Sequence, residues 1–338
     1  MDIKDYGFTE DYIKTEDIEE HRTAARIAAV HKDRYQTVSD RGEGFARLKR
    51  GSWSGEYPAT GDFVLMEYNE AGDSLICGLL PRKSAFARAA GPGRSRTVAA
   101  NFDYVLIAMS LNRDFNTARL ERYLSLAWES GGVPVVVLTK CDLVPDPGRY
   151  AEEVRQRAPG AEVITLSCKT GEGTEDVKRY FSKGKTIVLL GSSGVGKSTL
   201  VNTLCGREVM KTSAVRESDS RGRHTTVTRS LIMLPGGAMV IDTPGMRELG
   251  MFDAEEGINK TFADAEALAR QCRFPDCTHT SEPGCALLRA VEDGTLDRKR
   301  YENYMKLGRE SRYNSAPEEY LKEKRAKFRQ IAKENRRR

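Results

Sequence analysis

The stretch that most constrains this chain lies past its middle. A short apolar run, Thr186–Leu190, leads directly into Gly191-Ser192-Ser193-Gly194-Val195-Gly196-Lys197-Ser198-Thr199, and Leu200, Val201 and Leu204 follow at helical spacing. This is G-x-x-x-x-G-K-[ST] in the order strand, glycine-rich loop, helix. The glycines let the backbone wrap a phosphate chain with its N–H groups turned inward, and the following helix presents its positive end. Lys197 would reach the β- and γ-phosphates, and the Ser198 hydroxyl would ligate Mg²⁺. The surroundings agree. Tyr104–Leu111 and Val133–Leu138 are continuous apolar runs, Thr117–Ser130 between them has helical spacing, and Val163–Leu166 adds a strand before a helical stretch near 175–181. Strand and helix alternate, which predicts an open, largely parallel α/β sheet.

The loop alone does not choose a base. Thr139-Lys140-Cys141-Asp142 ends the run Val133–Leu138. A carboxylate there accepts two hydrogen bonds from guanine, whereas adenine would leave it facing a bare acceptor. Ser167-Cys168-Lys169 ends the next strand, where a backbone N–H can meet guanine O6. With the phosphate loop in the same chain, these motifs favour GTP over ATP. Asp242-Thr243-Pro244-Gly245 ends the strand Ala238–Ile241 and reads as D-x-x-G, with Asp242 in the Mg²⁺ shell and the Gly245 N–H at the γ-phosphate. Before it, Gly222-Arg223-His224-Thr225-Thr226-Val227 supplies Thr225 and Thr226, either able to close on Mg²⁺ when the γ-phosphate is present. The residue after D-x-x-G is Met246, which cannot orient water, so another group must do so; His224 is the best local candidate, with Arg223 or a group from a partner as the alternatives.

The motif order is rotated. T-K-x-D and S-C-K precede the phosphate loop, and D-x-x-G comes last. Rotation is tolerated when the original termini lie close and the cut falls in a loop. It also makes the γ-phosphate-sensing loop lead into the C-terminal part, so hydrolysis is expected to move that part.

The flanks differ in texture. Residues 1–20 hold eight acids and two lysines and read as an N-terminal segment without fixed structure. Residues 21–90 hold five short runs separated by turn residues, which suits a five-stranded OB-type barrel. The interval 91–95 reads as a linker, and a GTP-binding α/β unit spans 98–255. Residues 256–338 read as a mostly helical module. It carries Cys272-x4-Cys277-x-His279-x5-Cys285, a closed set of three sulfurs and one imidazole that suits one structural zinc ion. A basic interval (Arg82, Lys83, Arg88, Arg94, Arg96) and a basic tail from Lys322 to Arg338 suggest RNA, and Trp53 and Tyr57 could stack on bases or anchor the barrel.

The chain resembles the circularly permuted GTPases, and most closely the RsgA family of small ribosomal subunit biogenesis GTPases. The resemblance rests on Asn101-Phe102-Asp103, Ser110-Leu111-Asn112, Arg119-Leu120-Glu121-Arg122-Tyr123, T-K-x-D, S-C-K-T-G-E-G, GSSGVGKST, GRHTT, DTPG and the Cys/His cluster, over roughly residues 21–310. It implies an N-terminal OB domain, a permuted GTPase and a zinc module. It also implies binding to the small subunit and its rRNA late in assembly, with a weak GTPase that the ribosome stimulates.

Composition sets the outer bounds. Net charge is +5, and no apolar run approaches the ~18 residues of a membrane span. The N-terminus lacks the pattern of a signal peptide, so the expected setting is cytoplasmic, with no membrane partner and a monomeric chain. A nucleotide-gated RNA-binding protein with negligible turnover is the alternative reading, motivated by Met246. A kinase or helicase using ATP fits T-K-x-D and S-C-K poorly, and a zinc-containing DNA regulator lacks a helix-turn-helix signal.

Overall fold

The structure is a computed structural model, and it describes residues 1–12, 22–49, 53, 55–91, 93–210, 230–242 and 249–335. Strands β1 (Arg22–Val30), β2 (Tyr35–Ser39), β3 (Gly42–Leu48), β4 (Phe63–Glu67) and β5 (Ser74–Leu79) close a small barrel. Closure depends on β1, which is nine residues long and uses both edges. Its first half pairs antiparallel with β4, from Arg22↔Glu67 to Arg26↔Phe63, and its second half pairs with β2. β2 pairs with β3, β3 runs parallel to β5, and β5 returns antiparallel to β4. Alternate positions face inward, so Ala25, Ile27, Tyr35, Ala46, Val64, Met66 and Ile76 form one core. This is the OB-type barrel expected from the turn spacing. Trp53 packs against that core and donates from Nε1 to Gly55 O at 3.1 Å, so it anchors the barrel, whereas Tyr57 is exposed.

The structure departs from three expectations. Residues 1–12 are packed rather than loose. A 3-10 turn over Ile3–Tyr6 is capped by Asp2, and Ile3, Phe8 and Tyr12 pack with Phe63, Leu65 and Leu80. Phe63 and Leu65 point out of the barrel, opposite to Val64 and Met66, and this segment covers them. The many acids masked three apolar residues that follow no regular period. The rest of that segment, 13–20, lies outside the described residues. The interval 91–95 is also not a linker: it contains the turn of a hairpin, β6 (Ala85–Gly91) paired with β7 (Arg94–Ala100). Glycine and proline mark a tight turn as readily as a loose connection. Nor is Arg82 available to phosphate, because Nε and Nη2 donate to Asp62 at 2.7 and 2.8 Å and Nη1 bonds Glu56.

Beyond the hairpin lie β8 (Tyr104–Ser110), β9 (Val133–Thr139), β10 (Glu162–Thr165), β11 (Thr186–Leu190), β12 (Ser230–Met233) and β13 (Met239–Asp242). Five run parallel in the order β10-β9-β8-β11-β13, and β12 adds antiparallel to β13. Helices α1 (Thr117–Glu129) and α2 (Pro147–Arg157) cover one face, and α3 (Thr174–Lys178) and α4 (Lys197–Cys205) the other. The β12 strand continues into the barrel through Ala29↔Ser230, so among the described residues eleven strands form one sheet. Arg26 locks this junction. Its buried guanidinium donates to Gly61 O at 3.1 Å, to Asn101 O at 2.8 Å and to Tyr6 O, and lies beside Met239 Sδ. Burial pushes its pKa down to about 10, which leaves it charged at neutral pH.

The C-terminal helices are α5 (Glu255–Thr261), α6 (Ala263–Ala269), α7 (Ala286–Glu292), α8 (Arg298–Ser315) and α9 (Pro317–Asn335). The first of these are two short helices rather than one, because the run breaks at Phe262. These helices have no separate core: Ile258, Phe262, Leu287 and Leu307 share one cluster with Leu120 and Leu124 of α1. The α5 helix comes so close to α1 that a Cβ on Gly257 would sit 2.1 Å from Ser125 O. A buried polar knot ties the same surfaces. Glu121 accepts from Arg157 Nη1 and Arg300 Nη1, both at 2.9 Å, and from Asn303 Nδ2 at 2.6 Å. Arg300 in turn donates to both oxygens of Asp264, at 2.8 and 2.7 Å. Replacing Glu121 by Ala takes the buried acceptor from Arg157 Nη1, Arg300 Nη1 and Asn303 Nδ2 at once, while Arg300 keeps Asp264, and urea unfolding should show a loss of about 3 kcal/mol.

Candidate nucleotide site and metal centre

The nucleotide cleft forms where the C-terminal ends of β9, β10 and β11 meet, the place where open α/β sheets leave room for ligands. β11 ends at Leu190 and the chain turns at once. Gly191 has φ +144, and a Cβ there would meet Ala108 O of β8 at 2.4 Å, so only glycine fits. The loop then passes Gly194 (φ +77) and Gly196 (φ +102), and α4 begins at Lys197. Ser192, Gly196, Lys197 and Ser198 are partly exposed, Ser193, Gly194 and Thr199 are exposed, and Val195 is buried. The Lys197 ammonium donates to the loop's own carbonyls, Gly191 O at 2.8 Å and Ser192 O at 2.7 Å. The T-K-x-D motif reaches across to this loop. Thr139 Oγ1 donates to Val195 O at 2.7 Å, and Lys140, itself in the left-handed region with φ +60, donates from Nζ to Gly194 O at 2.8 Å.

The side of the cleft away from the glycine-rich loop is organised by one hydrogen bond. Ser167 Oγ donates to Asp142 Oδ1 at 2.6 Å, which joins the ends of β9 and β10. The same Ser167 oxygen accepts from the N–H groups of Lys169 and Thr170 at 3.2 and 3.3 Å. A cleft of about 310 Å³ results, with Asp142, Leu143, Lys140, Cys168, Lys169 and Thr199 among its walls. Burial raises the Cys168 thiol above its ordinary pKa, so it lines the wall as a neutral group. Cys141 stands apart. It is buried in the core, and its Sγ faces Glu172 Oε2 at 3.7 Å. Asp242 ends β13, beside the strand that feeds the phosphate loop. His224, Thr225, Thr226 and Gly245 lie outside the described residues.

The connection after β8 makes contacts that no sequence motif marks. There Ser192 Oγ donates to Asp114 Oδ2, and Arg119 pairs with Asp114 Oδ1 at 2.9 Å. Ser110-Leu111-Asn112 and Arg119 were visible only as parts of a resemblance. Neither charge spacing nor periodicity points from Asp114 to a residue 78 positions away.

The second centre lies between α6 and α7. Cys272, Cys277, His279 and Cys285 bring their ligand atoms within 4.8 Å of one another. His279 Nδ1 is 3.5 Å from Cys272 Sγ and 3.6 Å from Cys285 Sγ, and the two sulfurs are 3.9 Å apart. Sulfurs bound tetrahedrally at about 2.3 Å from one ion would be separated by nearly that distance. Burial opposes a thiolate at Cys272, yet the N–H groups of Ala286 and Leu287 at the start of α7, with the neighbouring thiols, hold its pKa below the usual thiol value. Tyr301 Oη donates to His279 O at 2.6 Å and fixes the loop that carries the imidazole. The donor set is closed and suited to holding a metal ion.

This fold and cleft define a P-loop GTPase whose motifs run in rotated order. The RsgA GTPase family model matches residues 79–252. A protein named small ribosomal subunit biogenesis GTPase RsgA 2, from Listeria monocytogenes, is 45% identical over 319 residues, covering 93% of this chain and 91% of that protein. Among solved structures, YjeQ from Thermotoga maritima is 29% identical with a TM-score of 0.62, covering 85% of this chain and 97% of its own. YloQ, described as a circularly permuted GTPase, is 26% identical with a TM-score of 0.59, covering 85% and 93%. The chain belongs to the RsgA GTPase family. If Asp142 is the guanine acceptor expected from T-K-x-D, replacing it by Asn exchanges an acceptor for a donor, and calorimetric titration should show GTP binding weakened at least about tenfold, with ATP binding unchanged.

Proposed function

We propose that this chain hydrolyses GTP to GDP and phosphate during late maturation of the small ribosomal subunit, and that it binds that subunit through its rRNA. The observation that carries this reading is the meeting of T-K-x-D, S-C-K and the phosphate loop in one cleft, in a chain of the RsgA family. Thr139, Lys140, Asp142, Ser167, Cys168 and Lys169 hold the guanine end, with the backbone at Cys141. Gly191 to Thr199 hold the phosphates. Ser198 and Asp242 serve Mg²⁺, Thr225 or Thr226 closes on it, and Gly245 meets the γ-phosphate. The three functional units are residues 21–90, 98–255 and 256–338.

The Cys/His set is assigned to one structural zinc ion, because three sulfurs and one imidazole close the coordination shell and leave no place for substrate. The setting is the cytoplasm, where ribosomes mature. The working form is a monomer, and no helix among the described residues is long and apolar enough to cross a membrane. The basic residues of α9 supply non-specific attraction to RNA phosphate, which salt should weaken.

Hydrolysis needs a group to orient water, and Met246 cannot do so. His224 is the residue assigned to that role. The competing reading, a nucleotide-gated RNA binder without useful turnover, rests on the same methionine. One assay separates them. GTP hydrolysis should be slow for the protein alone, rise with small subunits, and stay flat with large subunits or with ATP. Replacing His224 by Ala should abolish the stimulated rate and spare GTP binding. Stimulation by neither subunit would favour the gated binder. The metal assignment predicts one zinc ion per chain by elemental analysis, lost on replacing Cys272 by Ser. Because the C-terminal helices share their core with α1, that loss should also lower the stability of the GTP-binding unit.

A further inference from the structure

We infer that Asp114 is a positioning residue that sets the start of the phosphate loop and, through it, the seat of Lys197. This rests on reading 191–199 as the GTP phosphate loop. The segment from Asn112 to Asn116, between β8 and α1, is stiffly built. Asn112 Oδ1 accepts from Ser110 Oγ and from the Asp114 N–H, both at 2.9 Å, and Phe115 N donates to Asn112 O at 3.0 Å. The Phe115 ring meets Tyr150 of α2 edge-on at 5.1 Å. Asn116 caps α1 by accepting from Arg119 N at 2.9 Å. The Asp114 carboxylate therefore has a fixed position.

Its two oxygens have different partners. Arg119 pairs with Oδ1 at 2.9 Å, and Ser192 Oγ donates to Oδ2. Ser192 is the first residue of the loop with a side chain, since Gly191 is pressed onto Ala108 O and cannot carry one. The carbonyls of Gly191 and Ser192 are the two that accept from the Lys197 ammonium. β8 and the segment that follows it thus grip the loop twice, β8 by the close backbone approach of Ala108 at Gly191 and the segment by the Asp114–Ser192 bond. Both grips act on the peptide groups that seat the phosphate-binding lysine. A bare carboxylate this near would repel the incoming polyphosphate, and Arg119 balances it. Lys197 serves the β- and γ-phosphates, so misplacing it should harm hydrolysis more than GDP binding.

The test uses the full chain with small ribosomal subunits and compares wild type, Asp114→Ala, Asp114→Asn, Ser192→Ala and the double variant Asp114→Ala/Ser192→Ala. Hydrolysis kinetics, GDP affinity and thermal unfolding are measured for each. Asp114→Ala should lower kcat about tenfold, the size of a lost hydrogen bond to a charged group, with GDP affinity within about twofold. Asp114→Asn keeps an acceptor for Ser192 and should recover most of the rate. Ser192→Ala should reproduce the loss, and the double variant should be no slower than either single. An unchanged kcat in Asp114→Ala overturns the inference. So do losses that multiply in the double variant, or a fall in GDP affinity that tracks a lowered Tm. A wild type that binds GDP but never hydrolyses GTP would overturn the underlying reading and this inference together.

Discussion

The buried carboxylate of Glu121 is the interaction on which the arrangement of this molecule turns. It lies on α1, one of the helices that cover the parallel sheet, and it is satisfied from two other directions. Arg157 comes from the end of α2, and Arg300 and Asn303 come from α8, almost 180 residues later. A buried charge tolerates no vacancy among its partners, so the three elements are fixed relative to one another. Arg122, the next residue on α1, extends the tie by pairing with Glu310 at 2.5 and 2.7 Å and donating to Leu249 O at 3.0 Å. The C-terminal helices are therefore part of the GTPase core and not an appended module on a tether. Any motion of that part on hydrolysis has to work through or break these ties.

The opposite end of the sheet is joined to the barrel as firmly. β12 pairs with both β13 and β1, so the strand that follows the Thr225-Thr226 segment is shared between the GTPase sheet and the barrel. Arg26 binds carbonyls from the N-terminal turn, the β3–β4 connection and the residue after β7, and it lies against Met239 of β13. Asp242 ends that same strand β13. The rotated motif order thus has a mechanical consequence at each end of the chain. The elements expected to sense the γ-phosphate are built into strands that also carry the barrel and lead to the C-terminal helices.

Much of the nucleotide site was legible in the sequence because its chemistry is local. The loop at 191–199 needs glycines at fixed offsets, and T-K-x-D and S-C-K follow directly from apolar strands. The Cys/His set was legible for the same reason, since four ligands fall within fourteen residues and only their convergence needed the structure. Cys141 was grouped with the site by its place in a motif, yet its thiol belongs to the core. Residues 1–12 and 91–95 were misread because acids and glycine-proline pairs dominate their composition, while three apolar side chains and a strand register decide their structure.

Sequence alone determined the class of sheet, the GTPase motifs with their rotated order, and the Cys/His cluster that could hold a metal ion, because each depends on residue types within one short segment. Tertiary structure alone decided how the parts are fastened. Asp114 to Ser192, Glu121 to Arg300 and Arg26 to Asn101 join residues 75 to 179 positions apart. Such pairs leave no period or spacing in the chain. They exist because burying a charge or a polar group requires a partner, and which partner is at hand is settled only when the core packs.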